Sequence, residues 1–357
     1  MKSIRSGRMI LTLMPSLACK LDCPHCYLTK EQRRSKAMLS LSQVEQFVDE
    51  LTKLWQGKKN TQLDVYWYGG EPLANLTPEL FNITAESLSI AVHEVSHTVL
   101  SSLVGVDIEK WAPTLHRWTD SVIQTSWDGP MRGAQYLCHQ EEKIALAQAL
   151  GLTVDTISVV NQGMIDEGAE AAMAWLIQHG IRQSGWLPMQ RNGRNKATGE
   201  YDHHAPSMKA FSDFMISISD LAQKIPNAPI IGEKHFIAAM RGQHLANRGL
   251  QTLFLMPNGD LTMPDYCDEG IEFLRRFGNI KEGLAHILAS DPYQAWCRKQ
   301  VQSNSNPECL SCDISDCCLM EFWKPNSSND DCMGASRYVR HMLGHSAVHT
   351  LSVEHFS

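Results

Sequence analysis

The chain has 357 residues, 43% of them hydrophobic and 20% charged, a composition that can bury the core of a large globular protein. Its net charge of -7 argues against binding of duplex nucleic acid, because such proteins neutralise phosphates with Lys and Arg. The sequence contains 11 Cys but neither an export-signal pattern nor a long apolar run. We therefore expect a cytoplasmic protein with reduced thiols and no contact with a membrane.

The N-terminal half alternates short apolar strands with helical segments, an order that predicts βαβ units. The predicted strands are Met9–Met14, Leu63–Tyr68, His97–Val104, Ser121–Trp127, Thr153–Val160 and Gln183–Met189. The predicted helices among them are Ser40–Trp55, with a cap at Ser40 or Ser42, then Glu141–Leu150 and Glu167–His179. Six such repeats predict an α/β fold, a partial (β/α)6 parallel barrel similar to a TIM barrel.

The segments after the first two strands carry the clearest chemistry, and parallel barrels place their active sites in such loops. Cys19, Cys23 and Cys26 follow the first strand, and Gly-Gly-Glu-Pro at 69–72 follows the second. Three thiolates within eight residues can hold three corners of one [4Fe–4S] cluster and leave one iron open for another ligand. A zinc knuckle completed by His25 or by a remote Cys is the alternative.

These two motifs together resemble the radical S-adenosylmethionine superfamily, and the resemblance covers about Met9–Met189. It implies a [4Fe–4S] cluster bound by Cys19, Cys23 and Cys26, whose open iron binds S-adenosylmethionine. Reductive cleavage of that cofactor would yield a 5′-deoxyadenosyl radical that abstracts hydrogen from a substrate. The reductant implied is a one-electron donor such as flavodoxin or ferredoxin.

The resemblance also implies which residues contact S-adenosylmethionine. Tyr27 would lie near the adenine, and Ser126 in Ser-Trp-Asp-Gly-Pro would help to hold the cofactor, although that segment also fits a strand ending in an Asp-Gly turn. Arg132 would pair with the cofactor carboxylate. The full expected set is Tyr27, Gly69, Gly70, Glu71, Ser126, Arg132, Asn161 and Leu187, with the glycines and Glu71 at the methionyl amino group and the last two near the ribose and adenine.

Beyond Met189 the pattern changes, and we place a domain boundary near residue 245. A loop at Gln190–His204, helices at Pro206–Gln223 and about His235–Leu245, and a hairpin turning at 257–260 are predicted. The expected domains are 1–245, the barrel with a helical connector; 246–340, a Cys-rich unit; and 341–357, a solvated tail.

The C-terminal cysteines resemble the SPASM extension of peptide-modifying radical enzymes, but the set is reduced. Phe322 and Gly283 stand where that extension normally has Cys. The resemblance implies one auxiliary [4Fe–4S] cluster, and a zinc ribbon is the alternative. The implied ligands are Cys309, Cys312, Cys318 and Cys332, and Cys317 could replace Cys318. Cys267 and Cys297 have no assigned role. Cys138 is expected to be a packed thiol.

The leading functional hypothesis is hydrogen abstraction from a peptide or protein, giving a crosslink, an epimer or an oxidised side chain. The alternatives are a radical dehydrogenase or epimerase of a small-molecule metabolite, and a non-catalytic iron–sulfur or zinc protein. No catalytic residue can be named; Asp107 and Asp128 are candidates by position only, and Cys267 is a possible hydrogen donor. The loop Gln190–His204 and the segment around Cys267 are expected to bind the substrate.

Overall fold

A computed structural model describes residues 4–229, 251–264, 274–303, 311–314, 330–332 and 334–344 of the chain. The strands in this part are β1 Arg8–Leu13, β2 Gln62–Trp67, β3 Glu94–Val99, β4 Val122–Ser126, β5 Thr153–Val160, β6 Ser184–Pro188, β7 Thr252–Leu255, β8 Asp260–Pro264 and β9 Leu274–Asn279. The helices are α1 Lys30–Arg33, α2 Leu41–Leu54, α3 Pro72–Asn75, α4 Pro78–Ile90, α5 Ile108–Trp118, α6 Ala134–Ala149, α7 Gln162–Glu167, α8 Ala169–Gln178, α9 Gly193–Ala197, α10 Glu200–His204, α11 Met208–Lys224, α12 Leu284–Ala289, α13 Asp291–Ser303 and α14 at 336–344. Short 3-10 turns occupy Ile4–Ser6, Gly129–Arg132 and Ile280–Glu282.

The first six strands are parallel and form two joined sheets. One sheet has the order β3-β2-β1-β7-β8-β9 and the other the order β4-β5-β6. A parallel bridge between Leu100, just after β3, and Gln124 in β4 connects them. This arrangement confirms the predicted partial parallel barrel, and the strand-to-helix connections run over its outer face.

Alternation along the strands separates the core from the interior of the barrel. Leu11 in β1, Val65 in β2 and Leu253 in β7 are paired in register, and all are fully buried in the main hydrophobic core. Their neighbours Tyr66 and Phe254 line a cavity inside the barrel. The buried set packs against the apolar faces of α2 and α4, which the sequence places between successive strands.

The hairpin predicted at 257–260 is confirmed, and it joins the barrel. Strand β7 lies parallel to β1, while β8 pairs antiparallel with β7 and with β9. The sheet therefore continues across the boundary predicted near residue 245. The helix predicted at His235–Leu245 lies outside the described residues.

Several predicted bounds are wrong, for local reasons. The third strand ends at Val99, because the chain leaves the sheet there and Leu103 adopts a φ of +64°. The helix expected over Glu167–His179 is α8, which begins only at Ala169, because Gly168 with a φ of +90° separates it from α7, a helix that was not predicted. The predicted loop Gln190–His204 contains α9 and α10, the first of which is capped by Asn192.

Other corrections concern packing and segments that were not predicted. Cys138 is exposed, because the buried face of α6 is formed by residues such as Ile144 and Ala147. The tail predicted from 341 begins later, since α14 continues to residue 344 and its Met342 is buried, with the sulfur accepting a hydrogen bond from Ser219 of α11. Helices α4 and α5 were not predicted. Within the described residues, we find no helix whose length and hydrophobicity suffice for a membrane span.

Candidate cofactor and metal site

A cavity of about 340 Å³ opens inside the partial barrel at the carboxyl ends of its strands. Alternate residues of the strands point into it, as the two-residue period of a strand requires. Ten of the eleven residues predicted for the first cluster and the cofactor line this cavity. They are Cys19, Cys23, Cys26, Tyr27, Gly69, Gly70, Glu71, Ser126, Arg132 and Leu187.

The three cysteines lie on the loop between β1 and α1, here called the cluster loop and defined as residues 19–26. Its backbone is fixed by hydrogen bonds: the Cys19 amide donates to the Arg33 carbonyl (3.0 Å), and the Cys26 amide donates to that of Cys23 (3.1 Å). The guanidinium of Arg33 donates to the Leu21 carbonyl at 2.5 Å. All three thiols are half-buried at the cavity wall.

Charges of both signs surround the thiols: Arg132 favours the thiolates of Cys23 and Cys26, whereas Glu71 disfavours that of Cys19 and Asp128 that of Cys23. Burial raises the pKa of the Cys23 thiol to about 11 and also raises the pKa of Cys19 and Cys26, since a buried thiolate is poorly solvated. The guanidinium of Arg132 opposes this effect at Cys23 and Cys26. Iron ligation needs thiolates, and nearby arginines stabilise the three negative charges that the cluster loop would carry.

Three thiols on one loop at the cavity wall are the donor set that a [4Fe–4S] cluster uses, with each thiolate binding a different iron. The residues present therefore fit such a cluster, and a zinc knuckle completed by His25 or by a remote Cys stays the alternative.

Gly69 and Gly70 leave room for the residues that lead into the cluster loop. A Cβ on Gly70 would lie 2.1 Å from the Ala18 carbonyl oxygen, and one on Gly69 would lie 2.4 Å from that of Ser16. The amides of Gly70 and Glu71 donate to these same two carbonyls at 3.0 Å. The two glycines let the segment after β2 approach the start of the cluster loop, a steric role that the sequence interpretation did not include.

Glu71 is buried with its carboxylate turned toward the segment after β3. Oε1 accepts from the Ser101 hydroxyl (2.7 Å), and Oε2 accepts from the amide (2.8 Å) and hydroxyl (2.5 Å) of Ser102. Burial raises the pKa of Glu71, and these hydrogen bonds oppose the increase. The carboxylate thus links the second and third strand ends at the cavity.

Asp128 and Arg132 form a buried ion pair beside Ser126. The Arg132 Nε donates to Asp128 Oδ2 at 2.6 Å, while its terminal nitrogens donate to the Ser126 hydroxyl and the Tyr136 hydroxyl, each at 2.7 Å. Asp128 Oδ1 also accepts from the Val159 amide at 2.8 Å. The guanidinium holds the pKa of Asp128 below its usual range. Most N–H groups of Arg132 are therefore engaged by the protein.

Tyr27, Leu187 and Asn161 differ in their placement. Tyr27 packs beside Tyr68 with ring centroids 6.3 Å apart, and Leu187 is half exposed at the cavity wall. Asn161 does not line the cavity. Its side chain caps α7 by accepting from the Met164 amide (3.2 Å) and donates to the Asp128 carbonyl (2.9 Å).

Sequence reasoning considered His25 only as a zinc ligand and missed several other residues of the site. His25 lines the cavity, with Nε2 3.4 Å from an Arg132 nitrogen and Nδ1 3.8 Å from Asp128 Oδ2; burial lowers its pKa to about 4. Tyr66, Tyr68 and Gln124 also face the cavity. The strand period could have identified these, because each lies two residues from another inward position. Asp107, considered by position, caps α5 through the Lys110 amide (3.3 Å) and does not line the cavity.

Of the predicted auxiliary ligands, the structure describes Cys312 and Cys332. Both lie near Arg340 of α14. The pKa of that guanidinium is raised chiefly by its hydrogen bond to Asp313, with smaller contributions from Cys312 and Cys332. Asp331 anchors the Cys332 segment to α11 by accepting from the Ser212 hydroxyl at 2.5 Å. Cys267, Cys309, Cys317 and Cys318 lie outside the described residues, and Cys297 packs on α13 beside Tyr293.

No family model matches the sequence, and no curated protein matches it. Solved structures do. One match is anSMEcpe, an anaerobic sulfatase-maturating enzyme of the SPASM radical S-adenosylmethionine type, with AdoMet and the Kp18Cys peptide: TM-score 0.70, 14% identity, covering 98% of this chain and 100% of that one. Another is Streptococcus suis SuiB bound to the precursor peptide SuiA: TM-score 0.61, 14% identity, covering 88% of this chain and 71% of that one. The chain thus shares the fold of these two solved structures, as its motifs predicted.

Proposed function

We propose that this protein is a radical S-adenosylmethionine enzyme that abstracts hydrogen from a peptide or protein. The observation that carries the proposal is the placement of three thiols on one arginine-lined loop that opens into the barrel cavity. When bound, a [4Fe–4S] cluster and S-adenosylmethionine would supply a 5′-deoxyadenosyl radical inside that cavity.

The chain's own residues would bind and shield these groups. Cys19, Cys23 and Cys26 would ligate the cluster, and Gly69, Gly70 and Glu71 would form the adjoining wall. Tyr27, Ser126, Arg132 and Leu187 line the same space, whereas Asn161 would act indirectly through the turn after β4. The apolar wall formed by Ile157, Val159 and Phe254 would exclude water, which protects a reactive radical from side reactions.

A peptide substrate is supported by analogy with the structural neighbours. anSMEcpe has been solved with the Cp18Cys and Kp18Cys peptides, and SuiB with its precursor peptide SuiA. The spacing of Cys309, Cys312, Cys318 and Cys332 in the sequence is the basis for proposing one auxiliary [4Fe–4S] cluster. A flavodoxin or ferredoxin would supply the electron. The product would be a crosslink, an epimer or an oxidised side chain.

Iron and sulfide analysis with EPR on anaerobically purified protein tests the proposal. We expect about eight irons per chain, falling to about four when Cys19, Cys23 and Cys26 are replaced by Ala. Cys138→Ala is the matched control, because this thiol is exposed on α6, and it should leave iron unchanged. The wild type with dithionite should convert S-adenosylmethionine to 5′-deoxyadenosine, and the triple variant should not.

Two results would change the conclusion. A chain that binds no iron after reconstitution would contradict a radical enzyme altogether. Four irons with one zinc would retain the radical site and make the C-terminal cysteines a zinc ribbon. Mass spectrometry of peptides encoded beside the gene, after incubation with cofactor and reductant, then separates a peptide substrate from a small metabolite.

A further inference from the structure

The segment that begins α9 contacts the cluster loop over a large separation in sequence. Arg194 donates from one terminal nitrogen to the carbonyls of both Cys23 (2.8 Å) and Cys26 (3.1 Å), and its other terminal nitrogen pairs with Asp22. Asn192 donates from Nδ2 to the His25 carbonyl at 3.2 Å. These contacts span 167 to 172 residues of sequence.

The donors are themselves fixed. Asn192 caps α9 by accepting from the Asn195 amide at 3.0 Å, and the Asn195 side chain donates to the Gln190 carbonyl at 2.8 Å. The Arg194 side chain is only 11% exposed, so its charge acts with little screening by solvent. A guanidinium that donates to several oxygens from one rigid plane loses little freedom for each bond.

Two other arginines also contact or approach the cluster loop. Arg33 holds the other side of the loop at Leu21 and Asp22, and Arg132 approaches Cys23 from the cavity. Arg194 differs from these two because it alone among them donates to carbonyls of the ligating cysteines.

We propose that Asn192 and Arg194 form a clamp that fixes the part of the cluster loop carrying Cys23 and Cys26 and places one positive charge beside the cluster. This inference rests on the proposed function, since it assumes iron at Cys19, Cys23 and Cys26. The start of the segment Gln190–His204 would then hold the cluster, whereas the sequence analysis expected this segment to bind the substrate. Arg194 is a positioning residue that acts through the cysteine backbone.

The clamp predicts a change in cluster retention and in reduction potential. Arg194→Gln should lose iron to a chelator about tenfold faster than wild type, because hydrogen bonds from a charged donor to the cluster loop are removed. Its midpoint potential, measured by EPR during anaerobic dithionite titration, should become more negative, since a nearby positive charge favours the reduced cluster. Arg194→Lys should recover the potential but still lose iron faster.

A matched control separates this role from general damage. Arg182 also makes a two-pronged pair, with Asp155 at 2.9 and 2.6 Å, but it lies 47% exposed at the opposite end of β5. Arg182→Gln should match wild type in both iron loss and potential. If Arg194→Gln matches Arg182→Gln in both measurements, the clamp is refuted.

Hydrogen–deuterium exchange tests the clamp without bound iron. A wild type that binds no iron would refute the radical enzyme, and hydrogen–deuterium exchange on the iron-free chain would then test the clamp alone. Arg194→Gln should speed exchange at the amides of residues 21–23 and 25–27 several-fold, because the carbonyls that hold this loop lose their donors. Unchanged exchange would overturn the clamp whatever metal the protein binds.

Discussion

The carboxylate of Asp128 and the guanidinium of Arg132 form an ion pair that is almost fully shielded from solvent, with side-chain exposures of 0% and 6%. Arg132 and Ser126 line the barrel cavity, and the hydroxyls of Ser126 and Tyr136 accept from Arg132 to complete the network. Removing one partner of such a pair leaves an uncompensated buried charge. Asp128→Asn should therefore destabilise the protein by about 3–5 kcal/mol, measured by urea unfolding at pH 7.

An exposed ion pair provides the comparison. Arg8 and Asp64 lie 3.5 Å apart with the arginine side chain 51% exposed, so Asp64→Asn should cost under about 1 kcal/mol. Equal losses of unfolding free energy in the two variants would show that the Asp128 network is not the buried electrostatic unit described above.

Gly70 is expected to tolerate no side chain. Gly70→Ala would place its Cβ against the Ala18 carbonyl oxygen and push the cluster loop away from β2. We expect a loss of at least about 2 kcal/mol in unfolding free energy, together with reduced iron per chain after reconstitution. Gly344→Ala is the control, because no heavy atom lies within 4 Å of its Cβ position. Full iron content in Gly70→Ala would contradict the steric role.

Glu71 and Ser102 are expected to act as one unit. Glu71→Gln replaces one acceptor oxygen with an N–H group that faces a donor, and it should cost about 1–3 kcal/mol. Ser102→Ala removes only the hydroxyl and should cost about 1 kcal/mol. In thermal unfolding, the losses of unfolding free energy in the two single variants should add up to more than the loss in the double variant. Strict additivity would show that the two side chains are not coupled.

Because His97 is buried, we expect part of the free energy of unfolding to be lost in acid. Its Nδ1 accepts from Trp67 Nε1 at 3.1 Å inside the core, and burial lowers its pKa to about 4. An unfolded histidine has a pKa near 6.5, so between about pH 4 and 6.5 the unfolded chain binds more protons than the native one. Stability is therefore fully present above that window and falls as the pH is lowered through it, by up to about 2–3 kcal/mol from this residue.

The measurement is the free energy of unfolding at pH 7, 6 and 5. His97→Gln keeps an acceptor for Trp67 and should flatten the decline between pH 7 and 5. His139→Gln changes an exposed histidine on α6 and should retain the wild-type slope. A variant at His97 with the same slope as wild type would assign the acid sensitivity to other groups.

Sequence alone predicted what depends on local pattern. The six parallel strands follow from short apolar runs with helical segments between them, and β5 has the predicted bounds Thr153–Val160. Ten of eleven cluster and cofactor residues converge because the loops after parallel strands meet at one edge of a barrel. The resemblance to the radical S-adenosylmethionine superfamily implied which residues belong to this set, and the order of the strands explains why they converge.

Tertiary structure alone decided the contacts between distant segments. The sequence could not show that Gly70 faces the Ala18 carbonyl, that Arg194 reaches Cys23, or that β7 lies beside β1. Each of these contacts joins elements whose separation is set by packing of the whole barrel, not by periodicity. Local propensity and spacing determine which elements and motifs exist, whereas steric fit and buried charge in the folded chain determine which residues hold them in place.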